Sequence, residues 1–274
     1  MTEAGRIFRQ LGAVFALLLA SFCLIAIAIG VSVGIGDLPI PLATTFSAVT
    51  NRLGWTAVEL NRIHETVIWD YRLSRALVAA FCGAGLALSG AIMQSLLRNP
   101  LAEPYVLGIS AGASSGAVAI VILGVGAGAV SLSAGAFAGA FAAFFFVALL
   151  SNGTRGGADR TILAGVASSL GVNVGRARMV LFALTAMMTA TIVSMVGSIG
   201  FVGLVVPHVA RFVVGPSHVR LLPACAMTGA IFMVLADIAA RALIPNQILP
   251  IGVVTALVGV PFFSIILYRF QRAS

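Results

Sequence analysis

Lysine is absent from this chain: all sixteen basic residues are arginine, set against eight acids for a formal charge of +8. A Walker A loop needs Lys on the nucleotide phosphates and a Schiff-base enzyme needs a Lys amine. The chain therefore neither hydrolyses ATP through a P-loop nor works through an imine. Any energy from ATP has to come from another subunit. Charge of either sign is scarce, at 9% of 274 residues, while 60% are hydrophobic. The mean hydropathy of +1.11 lies outside the range of soluble domains. These values describe an integral membrane protein. Cysteine is scarce too. Cys23, Cys82 and Cys225 lie far apart in apolar stretches without CxxC spacing, and are expected to be buried small hydrophobes. The arginines stand in ones and twos between apolar runs, which argues against a nucleic-acid surface. The first apolar run is too long for a signal-peptide core and no small-residue cleavage site follows it, so it is expected to stay as an anchor.

Crossing a bilayer takes ~20 mainly apolar residues. Uncharged stretches of that length run from Leu11 to Gly36 and from Ala76 to Leu97. Pro104 to Thr154 is long enough for two spans broken at the glycine-rich turn Gly124 to Gly128. Met179 to Ala210, Leu221 to Ala242 around one buried Asp237, and Ala242 to Tyr268 follow. Gly200, Gly203 and Pro207 interrupt the first of these, and Pro245 and Pro250 separate the last two, so half-helices joined by turns are expected there. With Arg6 and Arg9 inside, the first span runs outward and Asp37 to Arg75 forms an outside loop. One threading then puts Arg98, Arg155, Arg160, Arg176, Arg178, Arg211, Arg220, Arg269 and Arg272 in the cytoplasm. Arg52, Arg62, Arg72, Arg75 and Arg241 fall outside against the positive-inside trend.

Small residues recur at spacing four in Gly83/Ala87/Ala91, Gly108/Gly112/Gly116 and Ser131/Gly135/Gly139, the pattern of close helix packing in lipid. They serve either as ordinary helix contacts or as a close-packed wall along a substrate path. The two G-x-S-x-G matches inside Gly108 to Gly116 lack the strand and the His–acid pair of a hydrolase. His64-Glu65 has Ile68 where a second zinc ligand would stand. Neither a catalytic nor a metal or cofactor site is expected. Asp237 precedes Arg241 by four residues, so the two share a helix face and can pair, structurally or functionally. Asn99-Pro100-Leu101-Ala102-Glu103-Pro104 reads as a stiff cytoplasmic turn.

The run from Arg72 to Gly116, including Asn99 to Pro104, resembles the permease subunits of ABC importers for iron–siderophore, haem and cobalamin. Gly200-Phe201-Val202-Gly203-Leu204-Val205-Val206-Pro207-His208-Val209-Ala210-Arg211, Leu235-Ala236-Asp237 with Arg241, and Pro250 to Phe263 are similar to later signatures of that family. The resemblance covers nearly the whole chain. It implies an all-α polytopic permease, a single domain over 1–274, in the inner membrane. It also implies a second permease protomer completing a homodimeric channel, an ABC ATPase subunit inside and an extracytoplasmic substrate-binding protein outside. In such permeases outward-facing arginines matching Arg72, Arg75 and Arg241 pair with glutamates of the binding protein; phospholipid headgroup anchoring is the competing role. Gly108, Gly112, Gly116, Gly200, Gly203 and Pro207 are expected to pack along the pathway.

One departure from the family stands out. Thr161-Ile162-Leu163-Ala164-Gly165-Val166-Ala167 resembles the start of a full membrane helix, and Ser169-Leu170-Gly171-Val172-Asn173-Val174 resembles the end of the cytoplasmic loop that contacts the ATPase. Here the two abut, so about two spans, roughly 50 residues, are expected to be missing between Ala167 and Gly171, leaving about eight. Ser169, Leu170, Gly171, Val172 and Asn173 are the candidate ATPase-coupling residues. Ile248 stands where the family often carries an acid. The expectation is ATP-driven import of an iron(III)-siderophore-type chelate, with haem or cobalamin as alternatives. A permease that no longer couples to ATP is a further rival. A proton- or ion-driven secondary transporter is disfavoured, because Asp237 is a lone buried acid.

Overall fold

The computed structural model describes residues 3–36, 38–124, 130–153, 174–244 and 247–273. They are helical, with no strand among them. The helices are α1 (Glu3–Gly34), α2 (Leu42–Arg52), α3 (Arg62–Thr66), α4 (Ser74–Leu97), α5 (Ile109–Leu123), α6 (Leu132–Gly153), α7 (Val174–Val196), α8 (Val202–Val214), α9 (His218–Ala242) and α10 (Ile251–Ala273). A π-helical segment, Val67–Leu73, joins α3 to α4, and a 3-10 turn, Pro104–Leu107, precedes α5. Four stretches are long and apolar enough to cross a membrane: Ala16–Gly34, Arg62–Leu97, Gly175–Val196 and His218–Ala242. Ile109–Leu123, Leu132–Phe146, Val202–Val214 and Ile251–Ile266 are shorter apolar helices over their described residues. Among the described residues, four candidate spans and four shorter apolar helices thus stand where about eight spans were expected.

The chain divides into two compact units, Met1–Ala87 with Val205–Ser274, and Leu88–Leu204. In the first unit, α1 packs along α9. Helices α4 and α9 meet backbone to backbone. A methyl on Gly83 would strike the Gly229 carbonyl, and one on Gly229 would strike the Gly83 carbonyl and Ala87. Lipid supplies no hydrophobic drive between helices, so such close approach is how they gain dispersion contacts. At the C-terminal end of α1, Val33, Ile40, Ala48 and Ile68 form a small core, with Trp69 and Leu73 against it. Asn61 starts α3 by accepting the Ile63 N–H on its side-chain oxygen at 2.9 Å.

In the second unit, α5 and α6 form an antiparallel pair whose seam is the expected one. Gly112 lies on Gly139 and Gly116 on Gly135. Ile109, Ala113, Ala136, Ala140 and Phe144 then close over Ala186, Ala190 and Val193 of α7. Two members of the sequence pattern are not part of that seam. Gly108 has φ +79° and open space around it; it is the left-handed residue that turns the 3-10 segment into α5, a conformation that costs an L side chain strain. The Ser131 hydroxyl accepts the Ala134 N–H at 3.1 Å and so caps α6.

The interruptions of the late region also differ from expectation. The break falls at 197–201, and Gly203 and Pro207 lie inside α8 rather than ending it. Cys82 and Cys225 are buried as expected, whereas Cys23 is exposed on α1 among lipid-compatible side chains.

Candidate functional site

Arg72, Arg75 and Arg241, assigned one task from sequence, come together in the first unit. The C-terminal end of α1, the N-terminal end of α4 and the C-terminal end of α9 converge there, the relative direction that the charge threading requires of these three helices. A helix end leaves its last carbonyls without partners and concentrates negative potential. Both buried arginines are spent on that end. Arg72, 2% exposed, donates from Nη1 to the Val33 carbonyl at 3.0 Å and from Nη2 to the Leu38 carbonyl. Arg241, 6% exposed, donates from Nη1 to the Ser32 and Ile35 carbonyls and from Nη2 to the Ser32 hydroxyl. The π-helical segment places Arg72 in the last turn before α4, and Gly36 leaves room for its guanidinium: a methyl there would lie 2.8 Å from Nε and Nη2.

Asp237, fully buried, balances part of this charge. Its Oδ1 accepts from Arg75 Nε at 2.6 Å, and its Oδ2 lies 2.8 Å from Arg241 Nη2, an ion contact rather than an aligned hydrogen bond. The i, i+4 pairing expected from sequence is present, and Arg75 is the added partner. Arg75 keeps 26% of its side chain exposed, with Nη1 3.4 Å from the Tyr71 hydroxyl. Of the three arginines, Arg75 alone reaches the surface to that degree. Three cations against one carboxylate leave the cluster with a surplus of two positive charges, which suits it to hold a carboxylate or similar anion at its rim.

In the second unit, the start of α8 is gripped by residues that sequence reasoning passed over. Gly90 of α4 lies directly on the Gly203 backbone. Gln94 Nε2 donates to the Gly203 carbonyl at 3.2 Å. The Phe201 N–H donates to the Glu103 carboxylate, from a backbone held at φ +68°. Phe201 directly precedes α8, so a buried anion sits where the helix dipole favours one. Burial pushes the Glu103 carboxyl up to about 7, the Phe201 N–H pulling the other way. The signal was available: Glu103 is the one acid between Asp70 and Asp159.

The other expected site residues are dispersed. Gly112 and Gly116 are in the α5–α6 seam, Gly108 caps α5, Gly200 lies in the turn before α8 with open space around it, and Pro207 is buried within α8. Ser169, Leu170, Gly171, Val172 and Asn173 lie outside the described residues, as does the join at Ala167 to Gly171. Among the described residues no three His, Cys, Asp or Glu side chains group as metal ligands.

The FecCD transport family profile matches residues 23–170 and 166–269. The chain is 33% identical to the cobalamin import system permease protein of Halobacterium salinarum, over 85% of this chain and 80% of that one. It is 29% identical to the Fe(3+)-citrate import system permease protein of Bacillus subtilis, over 94% of this chain and 96% of that one. Among solved structures, one described as an inward-facing conformation of a metal-chelate type ABC transporter superposes with a TM-score of 0.74 at 25% identity, covering 93% of this chain and 99% of that one. The Bacillus alignment runs over 329 positions against 274 residues here, so at least 55 of its positions face no residue of this chain. The two family matches meet at 166–170, the place where the sequence reading put the missing segment.

Proposed function

Because the chain belongs to the FecCD transport family, we propose that it is the permease subunit of an ATP-driven importer for an iron(III)-siderophore-type chelate. In this reading two copies form the channel in the inner membrane, an ABC ATPase subunit docks on the cytoplasmic side, and an extracytoplasmic binding protein delivers the chelate. The observation that carries it is the arginine cluster. Arg72 and Arg241 are fixed on the end of α1 and form its floor, while Arg75, half-buried and sharing Asp237, is the group a binding-protein carboxylate would meet first. Haem and cobalamin remain the alternative cargoes, since relatives of similar identity carry different names.

Binding-protein docking outside and ATP binding inside would favour opposite-facing states, so cargo moves as populations shift. The paired glycines of α5 and α6, with Gly200, Gly203 and Pro207, would line or support the path. Ser169 to Asn173 would contact the ATPase with what remains of the coupling loop. The absent segment favours one second reading, a permease that assembles but no longer couples to ATP. Co-purification with the ATPase subunit in detergent separates them, run beside a version carrying a family-length insert between Ala167 and Gly171. Equal retention supports the importer and makes ATP-dependent ferric-chelate uptake the next assay. Loss of the ATPase from this chain alone supports the uncoupled form.

A further inference from the structure

The short helix α2 has three faces. Thr45 and Ala48 are turned into the protein, against the small core at the end of α1. Thr44, Ser47 and Asn51 form a polar strip. Opposite that strip, at spacings of four, three and four, stand Leu42, Phe46, Val49 and Leu53, with exposures of 74% for Leu42, 70% for Phe46 and 56% for Leu53. Trp55, 75% exposed, extends the same edge. No acid lies on the helix, and its single charge is Arg52 at the C-terminal end, 5.7 Å from the Trp69 ring centre.

The corner that carries Trp55 is rigid. Asn51 accepts from the Thr56 hydroxyl at 2.7 Å and from the Val58 N–H at 3.0 Å, and donates to the Val58 carbonyl at 2.7 Å. The Trp55 N–H bonds the Thr50 carbonyl at 2.9 Å. An exposed apolar edge is therefore built and held at its C-terminal end by the Asn51 and Thr56 bonds. It also adjoins apolar surface at the end of α1: Val31 on α1, and Ile35 and Leu38 beyond its last residue, are exposed, and Leu42 lies against Gly34, where a methyl would meet its Cδ2 at 3.0 Å.

We propose that α2 is an interfacial helix, its Leu42–Phe46–Val49–Leu53 edge and Trp55 seated in the lipid at the outer membrane boundary. Exposed Val31 near the outer end of α1, with Ile35 and Leu38 after it, puts apolar surface beside that edge. A helix lying in the interface puts one apolar face into the acyl region and the opposite polar face into water, with aromatic and Arg side chains at headgroup level. Bilayer contact on α2 orients the outer end of α1, and with it the carbonyls that hold Arg72 and Arg241.

The chain has two tryptophans, so Trp69→Phe leaves Trp55 as the lone reporter. In liposomes of phosphatidylcholine, the Trp69→Phe protein should show blue-shifted emission, strong quenching by lipid brominated near the headgroup end of the acyl chain, and weak quenching by aqueous iodide. Subtracting Trp55→Phe from the unaltered chain gives the same reading if Trp69→Phe folds poorly. Adding Phe46→Ser and Leu53→Ser should lose most of the bromolipid quenching while the helical circular dichroism stays unchanged. Strong iodide quenching with no effect of bromolipid overturns the proposal. So does protection that appears only on adding a binding protein or only at concentrations where two copies associate, because a protein partner then covers the edge.

Discussion

Removing members of the Arg75–Asp237–Arg241 triad one at a time should give unequal losses whose order the geometry fixes. Arg241→Gln removes four hydrogen bonds to the end of α1 and to its own helix, together with the ion contact to a carboxylate that has no access to water. Asp237 keeps Arg75, but the buried acceptors on α1 lose their donor, which puts the loss near the lower end of the range, about 3–5 kcal/mol, for breaking a buried pair. Arg75→Gln takes one bond from Asp237 but leaves it beside Arg241, and Arg75 is itself a quarter exposed. A single hydrogen bond to a charged group is worth about 1.5–3 kcal/mol, and exposure puts this one at the lower end. Asp237→Asn keeps an acceptor for Arg75 but leaves three cations without their counter-charge, and falls between the two. Because Arg75 and Asp237 share one contact, the double variant Arg75→Gln/Asp237→Asn should cost about 1 kcal/mol less than the sum of the singles. Reversible SDS titration in mixed micelles, followed by circular dichroism, measures all four. A loss for Arg75→Gln equal to that for Arg241→Gln would refute the assignment of Arg241 as the structural arginine, and strict additivity in the double would refute the Arg75–Asp237 contact.

Other outcomes follow from the same contacts. Gly83→Ala should cost about 1–3 kcal/mol, since its methyl meets the Gly229 backbone, which cannot give way, as well as the Met233 side chain; Gly30→Ala, with open space around it, should be neutral or mildly stabilising in the same titration. Gly36→Ala should displace Arg72 and match the loss from Arg72→Ala, the double variant adding little. Glu103 binds its proton more tightly folded, near 7, than its ordinary value of 4.5, so its contribution is fullest below about 4.5 and is lost as pH rises through 7. Thermal midpoints should therefore fall between pH 5 and 8, by an amount equivalent to roughly 3 kcal/mol at most, and Glu103→Gln should flatten that profile.

Much of the architecture was legible in sequence. Uncharged runs of span length gave the helices, because a bilayer requires ~20 apolar residues with every backbone group bonded internally. Glycine at spacing four located the α5–α6 seam, since a Cβ is the obstacle to backbone contact in both partners. Long motifs such as Arg72 to Gly116 gave the family, and the abutment at Ala167 to Gly171 showed where relatives carry more chain.

The roles within the site were not legible. Arginines at 72, 75 and 241 look alike in a row of letters, and all three seemed available to a partner. The acceptors that hold Arg72 and Arg241 inside are the carbonyls of Ser32, Val33, Ile35 and Leu38, which any sequence would supply and no sequence pattern marks. Likewise, Gly108 fits the seam's spacing yet serves as a turn, and Glu103 reads as part of a loop yet ends on α8. Composition and run lengths determined that this chain is a helical membrane protein and roughly where its helices lie, and its long motifs, by resemblance, marked it as a permease. Only the tertiary structure decided which charges are spent inside the protein and which face outward, because that choice rests on backbone groups brought together from helices far apart in the chain.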